Sequence, residues 1–94
     1  MIPLDAVTDD EWLEIRKAGN RIKRLRHVKG MTQPDLAEKA GLSRNFLGTV
    51  ERGRQVPSML ILLRIADGLG VDIARIVSDA AWGDTTFTDL GAGT

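Results

Sequence analysis

The sequence contains no cysteine and only one histidine, which narrows the chemistry that its side chains can perform. Without cysteine, neither a disulfide nor a thiolate metal site can form. His27 has no second histidine with which to share a metal or a catalytic role. The sequence also contains no recognisable phosphate-binding loop and no paired carboxylates in an apolar setting. We therefore predict that the protein is not an enzyme and uses no metal, no cofactor and no small-molecule ligand.

Long hydrophobic runs are also missing. The longest run, over residues 59–63, is far too short to cross a bilayer. Residues 1–14 carry acidic side chains and lack the basic start of a secretory signal. A chain of 94 residues has room for one domain with a modest core. We expect a single-domain, cytoplasmic protein.

The chain as a whole has no net charge, but its segments do. The 13 basic and 13 acidic residues cancel. Residues 16–64, however, hold twelve Lys and Arg against three acids, a net charge of +9, whereas residues 1–15 carry −5 and residues 65–94 carry −4. A basic segment between acidic ends is typical of proteins that bind a polyanion, although a solvated charged surface can show the same pattern. Charge alone leaves both interpretations open.

Apolar residues recur at spacings of three and four, which predicts an all-α fold of five helices. Together with N-caps such as Thr8 and glycines at helix ends, the pattern places the helices at 9–29, 33–40, 44–52, 58–69 and 73–78. Gly19 costs the first helix about 1 kcal/mol relative to Ala, so the helix could break there. The predicted core consists of Ile22, Leu25, Leu36, Ala37, Leu47, Val50, Leu62, Ala66 and Leu69.

These helices define the domain organisation that we expect. Residues 1–8 form a flexible lead, and residues 9–78 form the domain. Residues 79–94 are rich in Gly, Thr and Asp and show no clear period. We expect this tail to be either partly disordered or associated with a dimer.

Residues 33–52 carry the pattern of two short helices joined by a tight turn. Gly41 can supply the left-handed conformation that so short a turn needs, and Ala37 is small enough for a steep helix crossing. The apolar Leu47 and Val50 turn the second helix toward the body, so that its remaining side chains point outward. Those outward residues include Arg44, Asn45 and Thr49. Arg and Asn are the residue types that read guanine and adenine edges in the major groove.

With these residues, the sequence resembles the Cro/C1-type, lambda-repressor-like helix-turn-helix proteins (the XRE family). The resemblance covers residues 19–77 and is carried by MTQPDLA, AGLS, VERG, PS and LGV at their usual separations. It implies a five-helix DNA-binding domain, here with an extended N-terminal helix and a short C-terminal tail. It also implies the following DNA contacts: Arg44, Asn45 and Thr49 on bases, and Gln33, Ser43, Arg52 and Arg54 on phosphates.

The resemblance further implies a structural ion pair. Glu51 is the one acid of the predicted recognition helix, where it would face phosphates unfavourably. The family pattern pairs an acid at this place with a basic residue of the first helix. We therefore predict a partly buried Arg26–Glu51 pair that fixes the first helix against the third.

The fourth helix carries more apolar residues than one buried face requires, over residues 59–63. Either the N-terminal extension covers Leu60 and Ile61 within one chain, or a partner subunit does. A single recognition helix reads too few base pairs for genomic specificity, so we expect a homodimer on a palindromic operator. The candidate interface consists of Leu60, Ile61, Ile73, Ile76, Val77 and Trp82.

The sequence therefore predicts a dimeric transcriptional regulator that binds double-stranded DNA. A phage repressor, a restriction–modification controller, an antitoxin and a host regulator all fit this description. The alternative is a protein–protein interaction module, for example antitoxin-like, that uses the same fold. Such a module would carry an acidic or apolar outer face on its third helix, and Arg44, Asn45 and Thr49 favour DNA instead.

Overall fold

A computed structural model of the chain describes residues 3–78, which form five helices and no strand. They are α1 (Asp9–Val28), α2 (Gln33–Ala40), α3 (Arg44–Glu51), α4 (Met59–Leu69) and α5 (Ala74–Val77). The predicted all-α class is confirmed, and each helix begins and ends close to its predicted bounds. Where the sequence predicts a flexible lead, Leu4–Ala6 form one 3-10 turn. None of the helices in residues 3–78 is long and apolar enough to span a membrane.

The first two helices begin at capping boxes, which explains why their starts are visible in the sequence. The Thr8 N–H donates to Glu11 Oε1 over 2.9 Å, and the Glu11 N–H donates to Thr8 Oγ1 over 3.1 Å. Thr32 and Asp35 make the same reciprocal pair at the start of α2. The backbone N–H of Thr8 lowers the pKa of Glu11, and that of Thr32 lowers the pKa of Asp35. Both carboxylates are therefore favoured in the charged form that the caps require.

The turn between α2 and α3 is built on Gly41. Its φ of +68° lies in the left-handed region, which a side chain would strain. Its N–H donates to the Glu38 carbonyl, and the Leu42 N–H donates to the Ala37 carbonyl at 2.8 Å. These bonds satisfy the last carbonyls of α2 within a few residues, so α3 can start at once.

The core collects side chains from all five helices. Eight of the nine predicted core residues are buried, but Leu62 is half-buried. Ile65 takes the core position on α4 instead, because the buried stripe of that helix runs through residues 65, 66 and 69. Ile76 is also fully buried, at 0% exposure, and so belongs to the core of one chain. The prediction that Ile76 contacts a partner subunit is therefore wrong.

Gly19 lies at the crossing of α1 and α3 and does not interrupt α1. A Cβ on Gly19 would lie 2.7 Å from the carbonyl oxygen of Glu51 and would overlap that of Val50. The missing side chain lets the two helix backbones approach each other directly. The helix is continuous from Asp9 to Val28, as its predicted bounds require, and the break that Gly19 could have caused does not occur.

The N-terminal half of α1 does not cover the exposed side of α4. An open apolar groove of about 230 Å³ separates the two elements, with Ile15 and Ala18 on one wall and Leu62 on the other. Ile61 is half-buried against the core, whereas Leu60 remains 57% exposed. Within the described residues, the N-terminal extension therefore does not cover Leu60, which was the first of the two predicted alternatives. Trp82 and the rest of the 79–94 tail lie outside the described residues.

Replacing Gly19 by Ala should lower the free energy of unfolding by about 1–3 kcal/mol, because the added methyl group forces α1 and α3 apart. Denaturant unfolding measures the change. Asn20→Ala is the matched control: Asn20 is exposed, and Ala is the better helix former, so this variant should be as stable as the parent or slightly more so. A stabilising Gly19→Ala substitution would contradict the close approach.

Candidate nucleic-acid interface

α3 is held by one face and exposed on the other. Leu47 and Val50 are buried and Phe46 is half-buried, so the helix packs on the body through this side. Ser43 begins the helix, and its Oγ accepts the Phe46 N–H at 3.1 Å. Arg44 and Asn45 follow directly on the exposed side. The outward placement predicted from the sequence is present at the start of the helix.

The exposed side of α3 and the start of α2 enclose a shallow polar concavity of about 220 Å³. Gly48 is buried at its floor, where a side chain would meet Arg52 and Gln33. The concavity is lined by Gln33, Arg44, Asn45, Gly48, Thr49 and Arg52. It brings together the three predicted base-reading residues and two of the four predicted phosphate-binding residues. Ser43 and Arg54 are exposed outside it.

Thr49 is more constrained than Arg44 and Asn45. Its Oγ1 donates to the Asn45 carbonyl over 2.9 Å and accepts from Arg52 Nη2 at 3.4 Å. The hydroxyl proton is therefore already used within the helix. Thr49 can therefore offer a base edge its methyl group, which suits apolar contact with a thymine methyl, and its hydroxyl oxygen only as an acceptor.

The predicted Arg26–Glu51 ion pair is present directly behind the concavity. Arg26 Nε lies 2.8 Å from Glu51 Oε2, and Nη2 lies 3.1 Å from Oε1, so the pair is bidentate. The two side chains are 8% and 2% exposed. Gln33 Nε2 donates to Glu51 Oε1 at 3.1 Å, and Arg26 Nη1 donates to the Met31 carbonyl at 2.9 Å. The network joins the end of α1, the start of α2 and the end of α3.

The two arginines after α3 lie in different parts of the site. Arg52 is the C-cap and folds back toward Thr49 and the concavity. Gly53 has a φ of +70°, its N–H donates to the Val50 carbonyl, and the Arg54 N–H donates to the Thr49 carbonyl. This Schellman-type ending turns the chain sharply and leaves Arg54 exposed on the loop beyond the helix.

Comparison with known proteins decides the family. The family model for the helix-turn-helix domain matches residues 18–76. The chain belongs to the Cro/C1-type helix-turn-helix family. The resemblance read from the sequence is thereby confirmed.

Two relatives illustrate the range of this family. The immunity repressor protein of Bacillus phage phi105 is 44% identical over 61 residues, a match that covers 65% of this chain and 42% of the repressor. The restriction–modification controller protein C.AhdI from Aeromonas hydrophila has a crystal structure with a TM-score of 0.67 and 34% identity. That match covers 68% of this chain and 97% of the controller.

A third relative was solved with nucleic acid. The restriction–modification controller C.Esp1396I was crystallised as a tetramer in complex with its natural 35-base-pair operator. It matches this chain with a TM-score of 0.61 and 30% identity, over 85% of this chain and 91% of the controller.

Arg21 is a structural residue that the sequence analysis counted only as part of the basic segment. It is buried, and its Nη1 donates to the Ile76 carbonyl at 2.8 Å, which ties α1 to α5. Its position beside Ile22 and three residues after Ala18 places it at the edge of the apolar stripe, and this was the available signal. Arg21 and Arg26 are thus internal, and the basic surface consists of the other cations.

Replacing Glu51 by Gln should destabilise the protein by about 3 kcal/mol or more, because the buried Arg26 guanidinium loses its counter-charge. Thermal and denaturant unfolding measure the effect. Glu38→Gln removes the same charge from an exposed position of α2 and should have little effect. If both variants have the same melting temperature as the parent, the network does not hold α1 to α3.

Proposed function

We propose that this protein is a sequence-specific, double-stranded DNA-binding transcriptional regulator that places α3 in the major groove. The observation that carries the proposal is the polar concavity on α3, where Arg44 and Asn45 stand exposed on a helix held from behind. The major groove of B-DNA admits an α-helix, and its base edges match bidentate Arg and Asn side chains. The family membership and the operator-bound relative support the same function.

We assign the residues around the concavity to two kinds of contact. Arg44, Asn45 and Thr49 read bases: Arg44 and Asn45 are exposed at the start of α3, and the half-buried Thr49 lies one turn later in the same concavity. The phosphate contacts come from Gln33, Ser43, Arg52 and Arg54. Gln33 is anchored on Glu51, so its amide is positioned before DNA arrives. Contacts to phosphates fix the position of the protein, and contacts to bases supply the specificity.

A protein–protein interaction module of the same fold is the weaker candidate. Its outer α3 face would be acidic or apolar, whereas the described concavity is lined by two arginines, two amides and a hydroxyl. We propose no catalytic activity, cofactor or small-molecule ligand for this protein. Because its proposed partner is DNA, we propose a cytoplasmic location.

We further propose that the regulator acts as a homodimer through α4. Within the candidate interface, Leu60 and Val77 are exposed, whereas Ile61 and Ile73 pack against the core. Met59 and Leu63 add to the exposed apolar surface of α4. Two copies on a two-fold axis would present their recognition helices to half-sites about 34 Å apart.

The base-reading and phosphate-binding assignments can be separated by mutation. Arg44→Ala and Asn45→Ala should each cost about 1–3 kcal/mol on the operator and little on random DNA. Arg54→Ala should weaken both and lower the salt dependence of binding by about one unit. Arg52→Ala should behave similarly, with an added effect through its contact with Thr49. The operator is first obtained by selection from random duplexes, and each variant is then titrated with salt.

The outcome for the two pairs decides whether α3 docks as proposed. If Arg44→Ala and Arg54→Ala change operator and random binding in the same ratio, α3 does not read bases. If the parent protein selects no sequence at all, regulation through a specific operator is wrong.

The dimer is tested by introducing a charge on α4. Leu60→Glu should convert a dimer into a monomer at micromolar concentration, because a carboxylate cannot be buried unpaired in an apolar interface. Sedimentation velocity measures the species. Val28→Glu makes the same change at an exposed apolar residue of α1 and should leave the dimer intact. A parent protein that sediments as a monomer, with and without DNA, would contradict the interface.

A further inference from the structure

The loop after α3 rests directly on the N-terminal half of α1. Gly53 is buried, and a Cβ at this residue would lie 2.6 Å from Arg16 Cα and 3.0 Å from Arg16 Cβ. No other residue type would fit between the loop and the helix without a shift. The absence of a side chain at Gly53 therefore sets the distance between Arg16 and the loop.

The stem of Arg16 runs along Gly53 while the residue as a whole stays exposed. Its Cγ is as close to the Gly53 position as its Cα is, so the side chain lies on the loop and does not point away from it. Gly53 is flanked in the sequence by Arg52 and Arg54, and both are exposed. Arg16 thus lies against Gly53 in space, and Arg52 and Arg54 flank it in the sequence at the end of the recognition helix. We call Arg16, Arg52 and Arg54 the Gly53 cluster.

The Gly53 cluster carries three positive charges and no described counter-ion. Neither of the ion pairs described for residues 3–78, Lys17–Glu14 and the buried Arg26–Glu51, involves a cluster member. Exposed cations on neighbouring parts of a surface attract a polyanion. Guanidinium groups also bind phosphate oxygens bidentately. The cluster therefore has the chemistry of a phosphate site.

We propose that the Gly53 cluster is a phosphate-binding site for the DNA backbone, in which Arg16 adds a contact from outside the helix-turn-helix segment. This inference rests on the proposed function. Arg16 lies two residues before the matched family segment 18–76, so the family pattern alone does not assign it. The loop at Gly53 continues from Arg52, which lines the concavity. A DNA strand that passes Arg52 at the edge of the concavity would then run along this loop, beside Arg54 and Arg16.

The acidic start of α1 limits this contact to Arg16. Glu14 lines the apolar groove on another side of the helix and pairs with Lys17. Asp9, Asp10 and Glu11 lie in the first turn, and Glu11 is about 8 Å before Arg16 along the axis. A phosphate that moved further along α1 would meet these carboxylates. The backbone contact therefore ends at Arg16.

The test is the salt dependence of binding to a random-sequence duplex, measured on the full chain. Arg16→Gln keeps most of the stem on Gly53 and removes the charge. It should lower the slope of log K against log salt by about 0.9 and weaken binding at 50 mM salt severalfold. Arg16→Lys restores a charge and should recover most of the slope. Lys39→Gln is the matched control, since Lys39 also packs beside a glycine, Gly68, but on the α2–α4 side, and its slope should equal that of the parent.

Arg54→Gln separates the failure of this inference from the failure of the proposed function. A reduced slope for Arg54→Gln, together with a parental slope for Arg16→Gln, overturns the role of Arg16 and leaves DNA binding intact. A parent protein with no salt-dependent binding overturns the proposed function itself. Circular dichroism melting of Arg16→Gln shows whether it is folded. If it is not, the protection of Arg16 in the parent protein from guanidinium-directed modification by bound duplex decides the question: protection supports the proposal, and its absence overturns it.

Discussion

The buried carboxylate of Glu51 is the interaction on which the rest of the arrangement depends. A carboxylate that is only 2% exposed is unfavourable unless charge and hydrogen bonds compensate for its lost hydration. Here, Arg26 supplies two N–H donors and Gln33 a third. These donors come from α1 and from the first residue of α2. Glu51 can therefore be buried only when three helices are in their native places.

Two glycine contacts, both on the N-terminal side of Arg26 along α1, keep α1 close against the end of α3. Gly19 touches the carbonyls of residues 50 and 51, and Gly53 touches Arg16 one helical turn earlier. A helix of eight residues such as α3 is not stable in isolation, because too few hydrogen bonds offset its nucleation. Its structure must come from packing. The long α1 provides that packing from behind and leaves the opposite face of α3 free for a ligand.

Local signals in the sequence explain how much could be predicted. Caps such as Thr8 and Thr32, and glycines at helix ends, act within a few residues, so five helices could be located near their true bounds. The outward face of α3 followed from its apolar spacing. Periodicity alone does not fix how a helix is rotated against a neighbour that is distant in the sequence. Leu62 was therefore placed in the core where Ile65 lies, and Ile76, on a helix too short to show a period, was placed at a surface.

The same limit explains the residues whose roles were misread. Gly19 lowers the intrinsic helix propensity of α1, and the sequence shows only this local effect. The compensating close contact is with residues 50 and 51, which are distant in the sequence. Arg21 looks like part of a basic surface until its bond to the Ile76 carbonyl is seen. Both depend on contacts that span more than thirty positions. The sequence could indicate which face of α3 points outward, but not which cations lie on the surface.

Folding and the proposed DNA recognition share atoms in this protein, because Gln33 takes part in the Glu51 network. Gln33 donates one side-chain N–H to Glu51, so the orientation of its amide at the start of α2 is fixed by the same carboxylate that holds Arg26. A change at Glu51 must therefore alter both the stability of the helix arrangement and the position of a proposed phosphate contact. Arg44 and Asn45 stand apart from this network, on exposed turns of α3. The proposed base-reading residues can consequently vary without cost to the fold, whereas the residues that brace α3 cannot.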